Sequence, residues 1–340
     1  MKEKVEENML DMVLYIGIIT VGYIVGTKLG SYEQKLKWRG KVQTLAIMAL
    51  VVLMGARMGC NEQVINNIRT IGVTALVMTL VILFFSIGAI FIARKAMGFG
   101  RNASLGNKRT DLQVEDEMEK IEREKEEKSG SLNKMTIIIF SSVIAGMALG
   151  YLAARPFFGD DIARFDHAAS LGIKTGLCFL MAFVGLELGL EGNLFQIMRR
   201  TGLRVLVFPI VTIVGTMIGS AASGPLMGFS LRESMAVGAG FGWYSLAPGI
   251  IMDAGLIEAS AVSFLHNVLR EVIGILLLPM VAEKIGFIEA ACMPGAPAMD
   301  VCLPVINKET KGRAVPYGFI TGVIMSFLVP VSVPLALNLF

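Results

Sequence analysis

Residues 238–250 read GAGFGWYSLAPGI. Four glycines, a proline and one of the chain's two tryptophans interrupt an otherwise apolar stretch. A helix that simply crosses a bilayer gains nothing from so many breakers. Non-helical backbone at membrane depth is tolerated only where it is buried in protein or lines a watery cavity. The stretch therefore marks either a packing kink or a place where a ligand meets exposed peptide groups. A second broken stretch lies at Ala290–Val305; its MPGAPAMD (293–300) echoes APGIIMD (247–253).

The surroundings are those of a polytopic helical membrane protein. Of 340 residues, 54% are hydrophobic and 17% charged, against roughly 25% charged in a soluble domain. A bilayer core about 30 Å thick needs about 20 apolar residues per helix. Runs of that kind recur at Met9–Leu29, Val42–Gly59, Ile71–Phe91, Thr136–Ala154, Ala168–Leu190, Leu203–Ala222, Val262–Ala282 and Pro316–Leu337. The alternating pattern of a membrane β-barrel is absent. The N-terminal MKEKVEEN is acidic and lacks a small-residue cleavage site, so the first run is expected to be a retained span.

Ser230–Gly255 and Ala290–Val305 are apolar enough to enter the membrane and too broken to be ordinary spans. If each turns back on one side, the chain has eight spans and two re-entrant segments. If each crosses, it has ten. Lys35, Lys37, Arg39 and Lys41 follow the first span, Arg94, Lys95, Arg101, Lys108 and Arg109 the third, and Arg199, Arg200 and Arg204 the fifth. Basic residues mark cytoplasmic loops, which puts both termini outside on either count. The charged stretch 111–128 reads as an exposed cytoplasmic helix.

Residues 53–76 align without gaps on 183–206: Gly55 with Gly185, Gly59 with Gly189, Arg69 with Arg199, Gly72 with Gly202. The offset is three spans, an odd number, so the second copy is upside down. Inverted repeats of this kind characterise secondary transporters. The expected division is a first three-helix repeat (1–95), a charged cytoplasmic stretch (96–134), an inverted second repeat (135–223) and a transport core (224–340) holding both breaks.

Chemistry concentrates in that core. Half-helix amides beside a break favour an anion and free carbonyls a cation. Gly240, Gly242, Trp243, Tyr244 and Ser245 in the first break, and Pro294, Gly295 and Asp300 in the second, are the candidate ligand contacts. FLHNVLREVIG (264–274) puts His266 and Arg270 on one helical face and Asn267 and Glu271 on the next. Ionisable groups inside a span default to functional candidates. Glu271 can hold a substrate cation or a proton, or serve as a structural partner of Arg270 or Arg57. Glu62 lies near the outer end of the second span. Arg57 and Glu187 occupy equivalent repeat positions and could pair. Asp253 reads as a cap, and Asp300 as a cap or a cation ligand.

Signals for other classes are thin. There is no GxSxG elbow, Walker loop or HExxH, so an enzyme is not expected. GAGFG looks superficially like a dinucleotide fingerprint but lacks the strand and the full spacing. Four scattered cysteines and two histidines point to no metal site and no cofactor. No nucleic-acid partner is expected; a homo-oligomer is compatible with the sequence.

GAGFGWYSL (238–246), FLHNVLREVIGILLLP (264–279), GAPAMDVCLPV (295–305) and FVGLELG (183–189) together resemble the lysine exporter family of the LysO type, over essentially all the spans. The resemblance implies export of L-lysine and its toxic analogue thialysine across the bacterial cytoplasmic membrane. It also implies termini outside, in agreement with the charges, and reliance on two intramembrane acids. Glu271 matches one directly. The nearest counterpart of the other is Glu62, whose local sequence departs from the family pattern. The expected mechanism is proton-coupled alternating access, with Glu271 exchanging the proton. The rival readings are a Na⁺/H⁺ or other cation antiporter, and a carboxylate symporter that would use Arg270 or Arg57.

Overall fold

The computed structural model describes residues 2–29, 38–103, 132–191 and 202–339. The charged stretch 111–128, half of the basic loop residues and the 192–201 end of the repeat lie outside the described residues, as do the side chains of Glu187 and Glu191. Every regular element described is helical. The main helices are α1 (Lys2–Leu29), α2 (Arg39–Cys60), α3 (Ile68–Ala96), α4 (Leu132–Leu149), α5 (Ile162–Glu191), α6 (Val207–Ser223), α7 (Leu231–Gly238), α8 (Ala247–Asp253), α9 (Ile257–Lys284), α10 (Phe287–Cys292), α11 (Leu303–Thr310) and α12 (Val315–Leu339). Each of the eight expected spans falls on one of the long helices. Among the described residues, six helices are long and apolar enough to cross a membrane.

The long helices pair most extensively as α1 with α5, α2 with α4 and α3 with α6. Between apolar helices in lipid, small residues let backbones touch. Gly22 and Gly26 of α1 meet Gly185 and Gly189 of α5; Gly55 of α2 meets Gly146 of α4, and Gly150, just past α4, lies against Ala56 of α2. A Cβ at Gly59 would run into the Met147 carbonyl. Two of the aligned glycine pairs, Gly55 with Gly185 and Gly59 with Gly189, are thus close-contact residues of two different pairings, while Gly72 and Gly202 face open space.

The broken stretches form α7–α8 and α10–α11, and contacts fix their course. Along α6 and α7, Gly224 lies beside Ser234 and Gly238 beside Ser220, so α7 runs back alongside α6. The far end of α8 returns to where α9 starts: the Met252 carbonyl takes a hydrogen bond from Arg57, near the end of α2, at 3.1 Å. The first stretch therefore turns back toward the end it came from. The second does the same at the opposite end of α9. Glu289 of α10 pairs with Arg94 at the end of α3. Tyr317, at the start of α12, packs edge-on against Phe99 and Phe208 at that same end. Two hairpins thus enter the bundle from opposite ends and meet near the middle of α9.

Gly59→Leu is predicted to overpack the α2–α4 contact and to destabilise the protein by about 2 kcal/mol or more. Gly72→Leu faces open space and should stay within about 0.5 kcal/mol. Melting of the two variants in detergent checks this; equal melting points would contradict the close-contact account.

Candidate functional site

The hairpin tips touch through their main chains. The Ala296 amide donates to the Phe241 carbonyl at 2.9 Å. Phe241 holds φ at +48°, uncommon for a bulky side chain. Such strain persists only where the surroundings fix it. Gly242 (φ +100°) and Gly295 (φ +81°) flank the crossing. A Cβ at Gly242 would lie 2.7 Å from the Pro297 ring, and one at Gly295 would strike the Phe241 carbonyl. Only glycine fits either place, on conformation and on space.

Helix α9 supplies the side chains around this crossing, on the two faces its i,i+4 spacing defines. Asn267 turns to the first break. Its Oδ1 accepts from the Gly242 amide at 2.7 Å, and its Nδ2 donates to the Ser263 carbonyl at 2.8 Å. Asn267 therefore satisfies a peptide group that left its helix, in a fully buried position. Glu271, one turn further on, is 2% exposed. The carboxylates of Glu271 and Asp300 both lie within electrostatic reach of the Tyr244 hydroxyl and the Cys302 thiol. Glu271 thus stands where residues of both breaks converge.

The other face carries His266 and Arg270, both fully buried. The Thr79 hydroxyl donates to the Ala75 carbonyl at 2.6 Å, so it accepts from His266 Nδ1 at 2.9 Å. Arg270 donates from Nε and NH2 to the Met293 carbonyl, at 3.3 and 3.2 Å, and from NH2 to the Thr216 hydroxyl at 3.2 Å. The hydrogen bonds of Arg270 go to Met293 and Thr216, and those of Arg57 to Asp166 and Met252.

Other expected residues fall differently. Trp243 Nε1 donates to Ser245 Oγ at 2.9 Å, so this pair is spent on itself here. Asp300 is exposed, and the following Val301 amide bonds to it. Asp253 ends α8 and accepts from Ser170 of α5 at 2.9 Å, so it is no helix N-cap. Glu62 is exposed and ion-paired with Arg155, apart from the crossing. Arg57 makes a two-pronged ion pair with Asp166, at 2.6 and 2.9 Å; the pairing considered with Glu187 lies outside the described side chains. Arg94 is no loop cation. It is buried and bonded to the fully buried Glu289 at 2.6 Å, and donates to the Phe99 carbonyl at 3.1 Å. Thr79, Thr216, Asp166 and Glu289 were not singled out from sequence; only Glu289, an acid in apolar FIEAAC, carries a visible signal. An open cleft of about 450 Å³ beside Arg101, Glu283 and Phe287 lies at the C-terminal end of α9, away from the crossing. No cluster of three or more potential metal ligands occurs among the described residues.

Two opposed hairpins with broken backbone and a buried acid at their meeting point define a multi-pass membrane protein of the transporter class. Residues 126–337, more than half of the chain, match the family described as lysine exporter LysO, and the chain belongs to that family. It is 28% identical over 194 residues to the Lysine exporter LysO of Escherichia coli (strain K12), covering 56% of this chain and 60% of that relative. It is 25% identical over 194 residues to the Putative lysine exporter of Haemophilus influenzae (strain ATCC 51907 / DSM 11121 / KW20 / Rd), covering 56% of this chain and 93% of that relative. No solved structure matches the chain.

Breaking the Arg94–Glu289 pair strands a buried charge, and a buried ion pair that loses one partner costs about 3–5 kcal/mol. Arg94→Ala should therefore be strongly destabilising in a thermal or denaturant melt. The double replacement Arg94→Met, Glu289→Leu should recover most of the loss. A double variant as unstable as the sum of the singles would contradict the pairing.

Proposed function

We propose that this protein exports L-lysine, or a similar basic amino acid, across the bacterial cytoplasmic membrane by proton-coupled alternating access. The observation that carries the reading is Glu271: buried, and facing the residues where the two broken hairpins converge. The printed names of the relatives support the substrate class. The backbone at Gly240–Ser245 and Pro294–Asp300 holds the amino-acid head group, and Glu271 neutralises the side-chain ammonium. Protonation of Glu271 weakens the cation site and deprotonation restores it, which couples the two fluxes. Glu62, exposed and held by Arg155, is the outer acid on the path.

The architecture suits this cycle. In the three main pairings α1 meets α5, α4 meets α2 and α3 meets α6. First helix meets second of the other triplet, in both directions, and third meets third. That is the pattern of a two-fold axis relating two inverted repeats. The reading is of eight spans and two re-entrant hairpins, with both termini outside. Rocking of one half against the other would open the crossing first to one face and then to the other.

Glu271→Gln keeps the shape and removes the charge. Efflux of labelled lysine from proteoliposomes should fall by roughly tenfold or more, the scale of losing one charged contact in a buried site. Export at the wild-type rate would remove Glu271 from the site.

A further inference from the structure

Arg270 is among the largest fully buried side chains in the structure. It stands near the middle of α9, and its guanidinium carbon lies 3.3 Å from where a Cβ on Gly295 would sit, against the second break. Two of its three nitrogens bond only to neutral acceptors, the Met293 carbonyl and the Thr216 hydroxyl. The third, NH1, is buried and has no hydrogen-bond partner among the described residues. No carboxylate among the described residues lies within ion-pair distance of it. The contrast with the other two buried arginines is sharp: Arg57 has Asp166 and Arg94 has Glu289. A buried cation without a counter-ion is costly, and such groups are normally paired. In a chain that twice meets this requirement, the third arginine requires a separate explanation.

We propose that Arg270 is the anchor for the α-carboxylate of the exported amino acid. The inference rests on the exporter reading above and deepens it. A guanidinium grips a carboxylate through two parallel N–H donors, and NH1 is the donor free to begin that grip. The neighbouring face of α9 carries Glu271, and Asp300 shares its electrostatic reach of Tyr244 and Cys302. A buried cation and a buried acid on adjacent faces of one helix suit an amino acid that carries a carboxylate at one end and an ammonium at the other. The hairpin crossing covers Arg270 in this arrangement, so the carboxylate reaches it only when the tips of the hairpins part. Binding of the anion would then replace the Met293 carbonyl as the partner of the guanidinium. That exchange links recognition of the substrate to release of the second hairpin.

The test is competition against labelled-lysine counterflow in proteoliposomes of the full-length protein. Three competitors serve: lysine, lysinamide, which lacks the carboxylate charge, and 1,5-diaminopentane, which lacks the group altogether. With wild-type protein, both analogues should compete roughly tenfold to a hundredfold more weakly than lysine, the range of one buried charge-assisted contact. In Arg270→Gln, lysine should weaken by that factor while the analogues change little, so the discrimination collapses. Arg270→Lys should restore part of it, since it returns the charge without the fork. Equal competition by lysine and lysinamide at the wild-type protein would overturn the assignment and leave the exporter reading intact. So would an Arg270→Gln protein that weakens all three competitors alike. A wild-type protein that moves no lysine would overturn both. The wild-type arm can still overturn the assignment if Arg270→Gln fails to fold, and Arg270→Lys then carries the residue-specific arm.

Discussion

A peptide group that leaves its helix in the interior of an apolar bundle must find a partner in the protein, and at the centre of this chain the Phe241 carbonyl finds the Ala296 amide. Much else follows from that one bond. It brings the two hairpins to van der Waals contact, which excludes any side chain at positions 242 and 295. It leaves the Gly242 amide pointing away from its own helix, and Asn267 is the residue that receives it. It sets Arg270 beside Gly295, and Glu271 is buried on the next face of α9.

The hairpins are held at their outer ends by a different device. Arg57 ties the Met252 carbonyl of the first hairpin to Asp166 on α5, and Arg94 ties Glu289 of the second hairpin to the end of α3. Each end of the bundle thus has a buried or half-buried ion pair that fixes one hairpin at its root. The tips are joined more weakly, by a single main-chain bond and glycine contacts. The roots are thus held by charged pairs and the tips by neutral contacts.

Much of this was legible in the sequence. The breakers in 238–250 and 290–305 marked the hairpins, and the i,i+4 spacing in FLHNVLREVIG assigned His266 with Arg270 and Asn267 with Glu271 to separate faces, as found. Charge counting could not decide whether the breaks cross or turn back, because both leave the C-terminus on the same side; the contact of Gly238 with Ser220 shows α7 folding back along α6, which no local sequence signal reveals. Arg94 was read as a loop charge because the third apolar run ends at Phe91, while its partner is 195 residues away. Arg57 found Asp166, 109 residues on, because α5 brings that acid to the end of α2. Thr79 and Thr216 look like any hydroxyl in a span until the neighbouring helix is in place. Long-range pairing of this kind leaves no local periodicity to read.

The central claim is that the crossing handles a basic amino acid and a proton together. Wild-type protein in vesicles with a pH-sensitive dye trapped inside tests it most directly. An imposed lysine gradient should drive a change of internal pH, with sodium at equal concentration driving none. A pH change that follows sodium and ignores lysine would contradict the account.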